Sequence, residues 1–102
     1  MASFEIRFKD ESLEKLQAEN AETDKAYPPG VGKAFRKRLQ LIRGAADERD
    51  FYAMRSVRFE RLKGKREHQY SMRVNDQWRL ILEMEGDNPK KTVWIVAIED
   101  YH

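Results

Sequence analysis

The sequence closes on three side chains able to take part in proton transfer, the acid Asp100, the phenol Tyr101 and the imidazole His102. They directly follow a strand-like apolar run at residues 92–98. Histidine suits this chemistry because its ordinary pKa, about 6.5, lies near neutral pH. A buried strand would deliver the three groups to one fixed place, whereas the alternative is a solvated tail that happens to contain a histidine.

Basic side chains are expected to converge on the same place from two turns. One turn follows the first strand of a predicted meander, and the other joins the next two strands. Together the two turns and their flanks supply Lys63, Lys65, Arg66, Arg73 and Arg79. A simpler explanation exists for Arg79, which could pair with Glu83 or with an acid on a neighbouring strand, and a surface pair of this kind contributes little stability.

Cations beside an acid, a phenol and an imidazole suit the metal-free cleavage of RNA. In that reaction a base removes the proton of the 2′-hydroxyl, and the freed oxygen attacks the adjacent phosphate. Cations stabilise the charge-rich transition state while an acid protonates the leaving 5′-oxygen. Arginine can bind the phosphate in two places, and tyrosine can stack on an unpaired base. The sequence has no cysteine and only two histidines, far apart, so we expect neither a metal site nor a cofactor.

Charge is unevenly distributed along the chain, although the net charge is only +2. Residues 1–32 hold four bases and seven acids, residues 33–73 thirteen bases and five acids, and residues 74–102 three bases and six acids. The middle of the chain therefore carries +8 between two segments of −3 each. A basic block of this kind favours an anionic partner, usually nucleic acid, over a merely solvated surface.

The clearest of the elements that must position these groups is a helix at residues 31–46. One side of it carries an apolar stripe at helical spacing, and the other side carries bases. Because no acid lies within the helix, intrahelical ion pairs cannot account for those bases. We expect them to contact RNA or an acidic protein segment; they are Lys33, Arg36, Lys37 and Arg43.

The remaining spacing indicates mostly strands. A small peripheral helix is expected from Asp10 to about residue 20, then a polar connection at 21–30, and later an aromatic turn at 51–54. Strands are predicted at residues 4–9, 57–62, 68–75, 77–85 and 92–98. The last is apolar throughout, so it should be central and covered on both faces. This order predicts an α+β domain with N-terminal helices packed on one face of a mainly antiparallel β-sheet.

Strand alternation predicts where Arg79 points. Trp78 and Leu80 belong to the apolar face of their strand, so Arg79 between them should lie on the open face of the sheet.

Chain length and composition narrow the class of protein. With 102 residues, 40% hydrophobic and 37% charged, the chain has room for one domain over residues 1–102. It has no run of about 18 apolar residues, which argues against a membrane span. No basic and apolar leader opens it, so we expect a cytoplasmic protein.

From Phe59 onward, the last 44 residues resemble the HigB (host inhibition of growth) toxins, also called killer proteins, of the RelE/ParE superfamily. The matching segments are residues 61–64, Arg66, residues 70–79 and the closing residues 100–102. The resemblance implies the same α+β fold and a toxin of a type II toxin–antitoxin pair that cleaves messenger RNA on the ribosome. It also implies a helix-turn-helix antitoxin, similar to HigA, as partner in a heterotetramer.

Carried over by position, the resemblance makes Lys63 and Arg79 the phosphate-contacting cations. It makes Asp100, Tyr101 and His102 the cluster that catalyses the reaction and positions the RNA. Some active relatives have a histidine three residues before the matching lysine, and here that position holds Glu60. Either Glu60 supplies the base, or His102 and Asp100 carry the proton transfers without it.

Two other functions remain open at this point. A ParE-like toxin of the same fold would inhibit DNA gyrase, using the basic helix and the tail without needing His102. A basic RNA-binding module would need no catalytic group. The combination of Arg79 with residues 100–102 favours the endonuclease over both.

Overall fold

The computed structural model describes residues 4–86 and 91–100. In this part of the chain a short strand comes first, four helices follow, and the rest is mostly strand. The elements are β1 (Phe4–Phe8), α1 (Glu11–Leu16), α2 (Ala21–Asp24), α3 (Val31–Gly44), α4 (Glu48–Ala53), β2 (Glu60–Arg61), β3 (Gln69–Arg73), β4 (Trp78–Glu85) and β5 (Lys91–Asp100). Single 3-10 turns at Arg55–Val57 and Gly64–Arg66 flank β2. No helix in these residues is both long and apolar enough to cross a membrane.

The strands form one sheet in the order β1-β5-β4-β3-β2. Strands β2 to β5 pair antiparallel with their sequence neighbours, and β1 runs parallel to β5 at one edge. A parallel pair needs a long connection, and here the helices lie in that connection. The predicted α+β class with a mainly antiparallel sheet is confirmed.

Helix α3 supplies much of the core on one face of the sheet. Phe35, Leu39 and Ile42 are buried in one cluster with Leu80 and Leu82 of β4. Full burial of a side chain of this size contributes about 1.5–3 kcal/mol. The apolar stripe predicted at residues 31–46 therefore fixes which side of α3 faces the sheet and which side faces solvent.

Helix α1 is shorter than predicted, and it is not peripheral. It begins after Asp10, whose carboxylate accepts a hydrogen bond from the Ser12 backbone N–H at 2.7 Å, and it ends at Leu16. Leu13 and Leu16 are both buried in the main core. Two leucines three residues apart are therefore enough to bring a helix of this length into the core.

Local structure also differs from prediction around residues 21–62. The expected polar connection contains α2, and most of the expected aromatic turn belongs to α4. The strand predicted at 57–62 shrinks to β2, because the chain forms a 3-10 turn and Arg58 adopts a left-handed φ of 49°. The reason is burial, since the ring of Phe51 packs against those of Phe4 and Phe59, with ring centroids 5.2 Å apart in each pair.

The prediction that the last strand is covered on both faces is wrong. In β5 only Val93 and Ile95 are fully buried, and Trp94 between them is half-buried. Trp94 lies on the face without helices, where the cations of Arg7 and Lys9 stand 6.0 Å and 5.6 Å from its ring. Long basic side chains can cover an apolar ring in this way, so an apolar sequence does not require a second layer.

Candidate active site

The helices pack on the face of the sheet that carries Leu80 and Leu82. The opposite face, which the helices leave uncovered, is here called the open face. Residues directly opposite each other on paired strands share one face. The register pairs Arg73 with Arg79 and Arg79 with Glu99, so these three side chains form a row across β3, β4 and β5. Two arginines and a glutamate therefore meet on the open face.

Arg79 lies on the open face, as strand alternation predicts, because its neighbour Leu80 is in the core. Its side chain is only 21% exposed, and Nη2 lies 3.4 Å from Oε1 of Glu99. Arg79 therefore also pairs with an acid on a neighbouring strand, as the simpler explanation in the sequence analysis predicted. At this low exposure the electrostatic interactions of the guanidinium are stronger than in open water.

Arg66 binds Glu99 more closely than Arg79 does. Its two terminal nitrogens, Nη1 and Nη2, donate to the two carboxylate oxygens of Glu99 at 3.0 and 2.7 Å, and its Nε donates to Gln69 at 2.9 Å. The hydrogen bonds from Arg66, with a smaller contribution from Arg79, hold the pKa of Glu99 below its ordinary value. The same pairing raises the pKa of Arg66.

A second carboxylate extends this polar network toward β1. Glu83 accepts a hydrogen bond from Gln69 at 3.0 Å and another from Lys9 at 2.7 Å. These two donors lower the pKa of Glu83. His68 lies at the margin, with its Nε2 3.8 Å from Glu83. Hydrogen bonds and ion pairs thus lead from Lys9, the residue after β1, through Glu83 of β4 and Gln69 of β3 to the Arg66–Glu99 pair.

Lys63 and Lys65 stand on the turn beside this network. Both side chains are exposed. Between them, Gly64 has a φ of +68°, a left-handed conformation that side chains other than glycine rarely adopt. Glu60 in β2 is also exposed and lies opposite Ser71, which the register puts on the open face with Arg73.

Asp100 ends the last described strand. The register places it opposite Trp78, so its side chain starts on the face of Trp78 and not on the open face with Arg79, and the expected meeting of Asp100 with Arg79 is not seen. The acid opposite Arg79 is Glu99. Its carboxylate accepts a hydrogen bond from Gln77 at 3.1 Å. The predicted site residues Tyr101 and His102 lie outside the described residues.

The bases predicted on α3 divide into two kinds. Lys33, Lys37 and Arg43 are exposed. Arg36, in contrast, is only 17% exposed and donates to both carboxylate oxygens of Asp24 at 2.9 and 3.1 Å. Arg36 also donates to the Leu16 carbonyl at 3.1 Å. An acid from α2 therefore accounts for one base of a helix that contains no acid itself.

Arg73 is held at the hairpin between β3 and β4. Its side chain donates to the Asn75 carbonyl at 3.2 Å and pairs with Asp76. Its own carbonyl accepts a hydrogen bond from Nε of Arg38 at 2.7 Å. Burial, and secondarily the charge of Arg73, lowers the pKa of Arg38.

Sequence reasoning missed Glu99, Gln69 and Glu83 as members of the site. The available signal was the register: once β3, β4 and β5 are paired, polar residues in alternate positions meet in rows. Within residues 4–86 and 91–100, no three or more histidine, aspartate or glutamate side chains are grouped so that they could hold a metal ion.

Solved structures define the class of protein to which this fold belongs. A toxin described as YoeB/ParE from Agrobacterium tumefaciens superposes with a TM-score of 0.60 at 11% identity, covering 96% of this chain and 99% of that one. A chain of the YoeB–YefM complex from Staphylococcus aureus superposes with a TM-score of 0.57 at 21% identity, covering 97% of this chain and 97% of that one. At these identities the similarity concerns the fold, which is that of YoeB/ParE-type toxins.

The sequence identifies the family within this class. Residues 6–102 match the family described as RelE-like toxin of type II toxin-antitoxin system HigB. The Toxin HigB-1 of Vibrio cholerae serotype O1 is 32% identical over 78 residues, which cover 76% of this chain and 81% of that toxin. This chain belongs to the HigB-like toxin family.

Proposed function

We propose that this toxin is a messenger-RNA endonuclease that acts on the ribosome and cleaves by attack of a 2′-hydroxyl, without a metal ion. The observation that carries the proposal is the open face, where Arg66, Arg73 and Arg79 cluster on a surface that the helices leave uncovered. Clustered guanidinium groups suit an RNA backbone and the negative charge of a phosphoryl transition state.

Arg79 is assigned the scissile phosphate, and Lys63 a second phosphate contact. The position of Arg79 supports its role, because a largely buried cation on a strand needs little reorganisation when charge develops beside it. Lys63 stands on an exposed turn, where an ammonium can follow a flexible backbone.

Proton transfer is assigned to the groups near the end of β5 or to Glu60. Asp100, Tyr101 and His102 supply an acid, a stacking phenol and an imidazole, as the family resemblance implies. Glu60 is exposed and opposite Ser71, a position from which a carboxylate can act toward the open face. The base is therefore either Glu60 or His102.

The protein partner is proposed to be an antitoxin. Support comes from membership of a toxin–antitoxin family and from the fold shared with a toxin that was solved in the YoeB–YefM complex. We propose a HigA-like helix-turn-helix antitoxin, assembled with the toxin as a heterotetramer in the cytoplasm.

Replacing Arg79 tests the endonuclease directly. Arg79→Ala should lower the rate of cleavage of ribosome-bound message about 100- to 1000-fold, the usual cost of losing one transition-state contact. Arg79→Lys should recover part of that loss, because lysine keeps the charge but not the planar fork. The measurement is primer extension on a translated message.

The matched control is Arg49→Ala, which removes an arginine of α4 that is 90% exposed and pairs with Asp47, the residue before that helix. Cleavage by this variant should equal that of the parent. If the parent protein left the message intact and inhibited DNA supercoiling by gyrase, the endonuclease proposal would be wrong and gyrase inhibition would replace it.

A further inference from the structure

We propose that Glu99 is the positioning residue of this site, holding Arg66 and Arg79 in place for the RNA. The inference rests on the proposed endonuclease function and adds a residue that touches the cations rather than the reacting atoms. A single carboxylate of β5 contacts a guanidinium from a turn and a guanidinium from β4.

The geometry around Arg66 shows how firmly it is held. Two parallel hydrogen bonds to Glu99, at 3.0 and 2.7 Å, fix the plane of the guanidinium, and the bond to Gln69 fixes its third nitrogen. A bidentate arginine–carboxylate pair adds directional specificity as well as energy. Three of the five N–H groups of Arg66 thus have protein partners.

Fixing Arg66 also fixes the turn that carries Lys63. Arg66 is the last residue of the 3-10 turn that begins immediately after Lys63, and its backbone N–H donates to the Lys63 carbonyl at 3.4 Å. Glu99 lies 33 residues away in sequence and directly precedes Asp100. The Arg66–Glu99 pair therefore ties the turn of one predicted phosphate contact to the strand that ends at the proposed catalytic cluster.

Glu99 is poorly suited to the alternative role of general acid or base. The hydrogen bonds from Arg66 and Arg79 keep its pKa below the ordinary value, so it stays ionised and weakly basic near neutral pH. Both carboxylate oxygens already accept hydrogen bonds from arginines. A carboxylate with these partners orients cations and does not shuttle protons.

The test compares Glu99→Gln with the parent and with Glu5→Gln. The control makes the same chemical change in an exposed ion pair on β1, where Glu5 stands 2.9 Å from Arg7. In Glu99→Gln, hydrogen exchange at the Arg66 and Glu67 amides of the turn should become at least about tenfold faster, because the tether is weakened. In Glu5→Gln it should match the parent.

Cleavage kinetics supply a readout that a purely structural role would not change. In Glu99→Gln, kcat should fall roughly 10- to 100-fold through misplaced cations, while KM changes by no more than about twofold. Arg66→Lys should reproduce this pattern, because an ammonium cannot form the two parallel bonds. If Arg66 only contacted a phosphate, the Arg66→Lys variant would instead show a raised KM.

The possible outcomes separate the two proposals. Exchange in the turn at the parent rate would overturn the role of Glu99, and so would cleavage faster than the parent, since the carboxylate would then only screen the cations. Absence of cleavage by the parent would overturn the endonuclease, while the exchange data would still decide whether Glu99 holds the turn.

Discussion

Arg66 and Arg79 carry the same functional group and share one acceptor, yet their surroundings differ. Arg66 makes three hydrogen bonds through its guanidinium to Glu99 and Gln69, in a turn that has no ladder of strand hydrogen bonds. Arg79 sits within β4, where the strand itself fixes its backbone. The arginine on the less regular element thus has the more extensive side-chain anchoring.

His102 is the residue for which a role in proton transfer can be tested most simply. We predict that His102→Gln relieves the growth arrest caused by expressing the toxin alone and slows cleavage about 100- to 10,000-fold, the usual contribution of a positioned acid or base. His68→Gln is the matched control, since His68 is 61% exposed and at the margin of the network. Growth and thermal melting are measured together.

The outcome for Glu60 decides which group is the base. A large loss of kcat in Glu60→Gln, with modest loss in His102→Gln, would assign the base to Glu60. Full toxicity of a folded His102→Gln protein would remove the imidazole from the mechanism.

At the level of single residues, the sequence indicates part of the site. Arg79 could be placed on the open face because alternation with Trp78 and Leu80 is a local signal. Glu99 could not be found in that way, because its role depends on pairing with residues 20 and 33 positions away. Local patterns give the face of a strand, and only the register gives its neighbours.

Among the elements, α3 combines two tasks on opposite sides. Its apolar side packs in the core, and its polar side ends in the exposed ammonium groups of Lys33 and Lys37. The contact of Arg36 with Asp24 and Leu16 means that this arginine joins α1, α2 and α3. The element has fewer cations available for RNA than its sequence suggests.

Two glycines of α3 give an internal comparison of helix stability. A Cβ at Gly32 would stand 2.7 Å from Oδ1 of Asp24, whereas a Cβ at Gly44 would meet no atom within 4 Å. Gly44→Ala should therefore raise stability by about 0.5–1 kcal/mol through helix propensity. Gly32→Ala should lower the melting temperature, because it displaces Asp24 from Arg36. Equal stabilisation by both variants in thermal melts would contradict this view of the pair.

The exposed lysines of α3 should contribute to ribosome binding through counterion release. Changing Lys33 and Lys37 together to Gln should weaken binding and make its loss with rising salt shallower by roughly one to two in log–log slope. The control is Lys25→Gln, since Lys25 is 73% exposed and pairs with Glu22 on α2. Sedimentation with ribosomes over a salt series makes the measurement, and an unchanged slope would assign the lysines to solvation alone.

The predicted secondary structure is right where buried residues recur at helical or alternating spacing, and wrong where contacts between distant residues decide the local conformation. Helix α3 and strands β3 and β4 follow the helical or alternating spacing of their sequence closely. The segment at 57–62 alternates like a strand, but burial of Val57 and the rings around Phe59 bends it into a turn. Contacts of this kind join distant residues, and no local window contains them.

At the scale of the whole molecule, ion pairs hold the open face together. Through Gln69 and Arg66, the network joins Lys9, which directly follows β1, with Glu83 of β4 and Glu99 of β5. Ion pairs and hydrogen bonds therefore stabilise the sheet on its open face, and apolar packing stabilises it on the other face. Low pH, which neutralises the carboxylates, should weaken the ion pairs of the open face and leave the apolar packing unchanged.

This division leads to a prediction for stability against pH. The pKa of Glu83 is lowered by hydrogen bonds from Gln69 and Lys9, and that of Glu99 by Arg66. A lowered pKa in the folded state means that the stabilisation is complete above the ordinary glutamate pKa, about 4.3, and is lost as pH falls through the lower folded value. The melting temperature should therefore decrease steadily below about pH 4.3.

Replacing Glu83 isolates one part of this effect. Glu83→Gln should melt below the parent at pH 7 and lose less of its melting temperature on acidification, because one of the linked carboxylates is gone. Glu22→Gln is the control, since that side chain is 84% exposed and its ion pair at 3.5 Å is screened by water. Thermal melts from about pH 7 to about pH 3 compare the three proteins. Parallel curves for Glu83→Gln and the parent would show that the network on the open face does not govern acid stability.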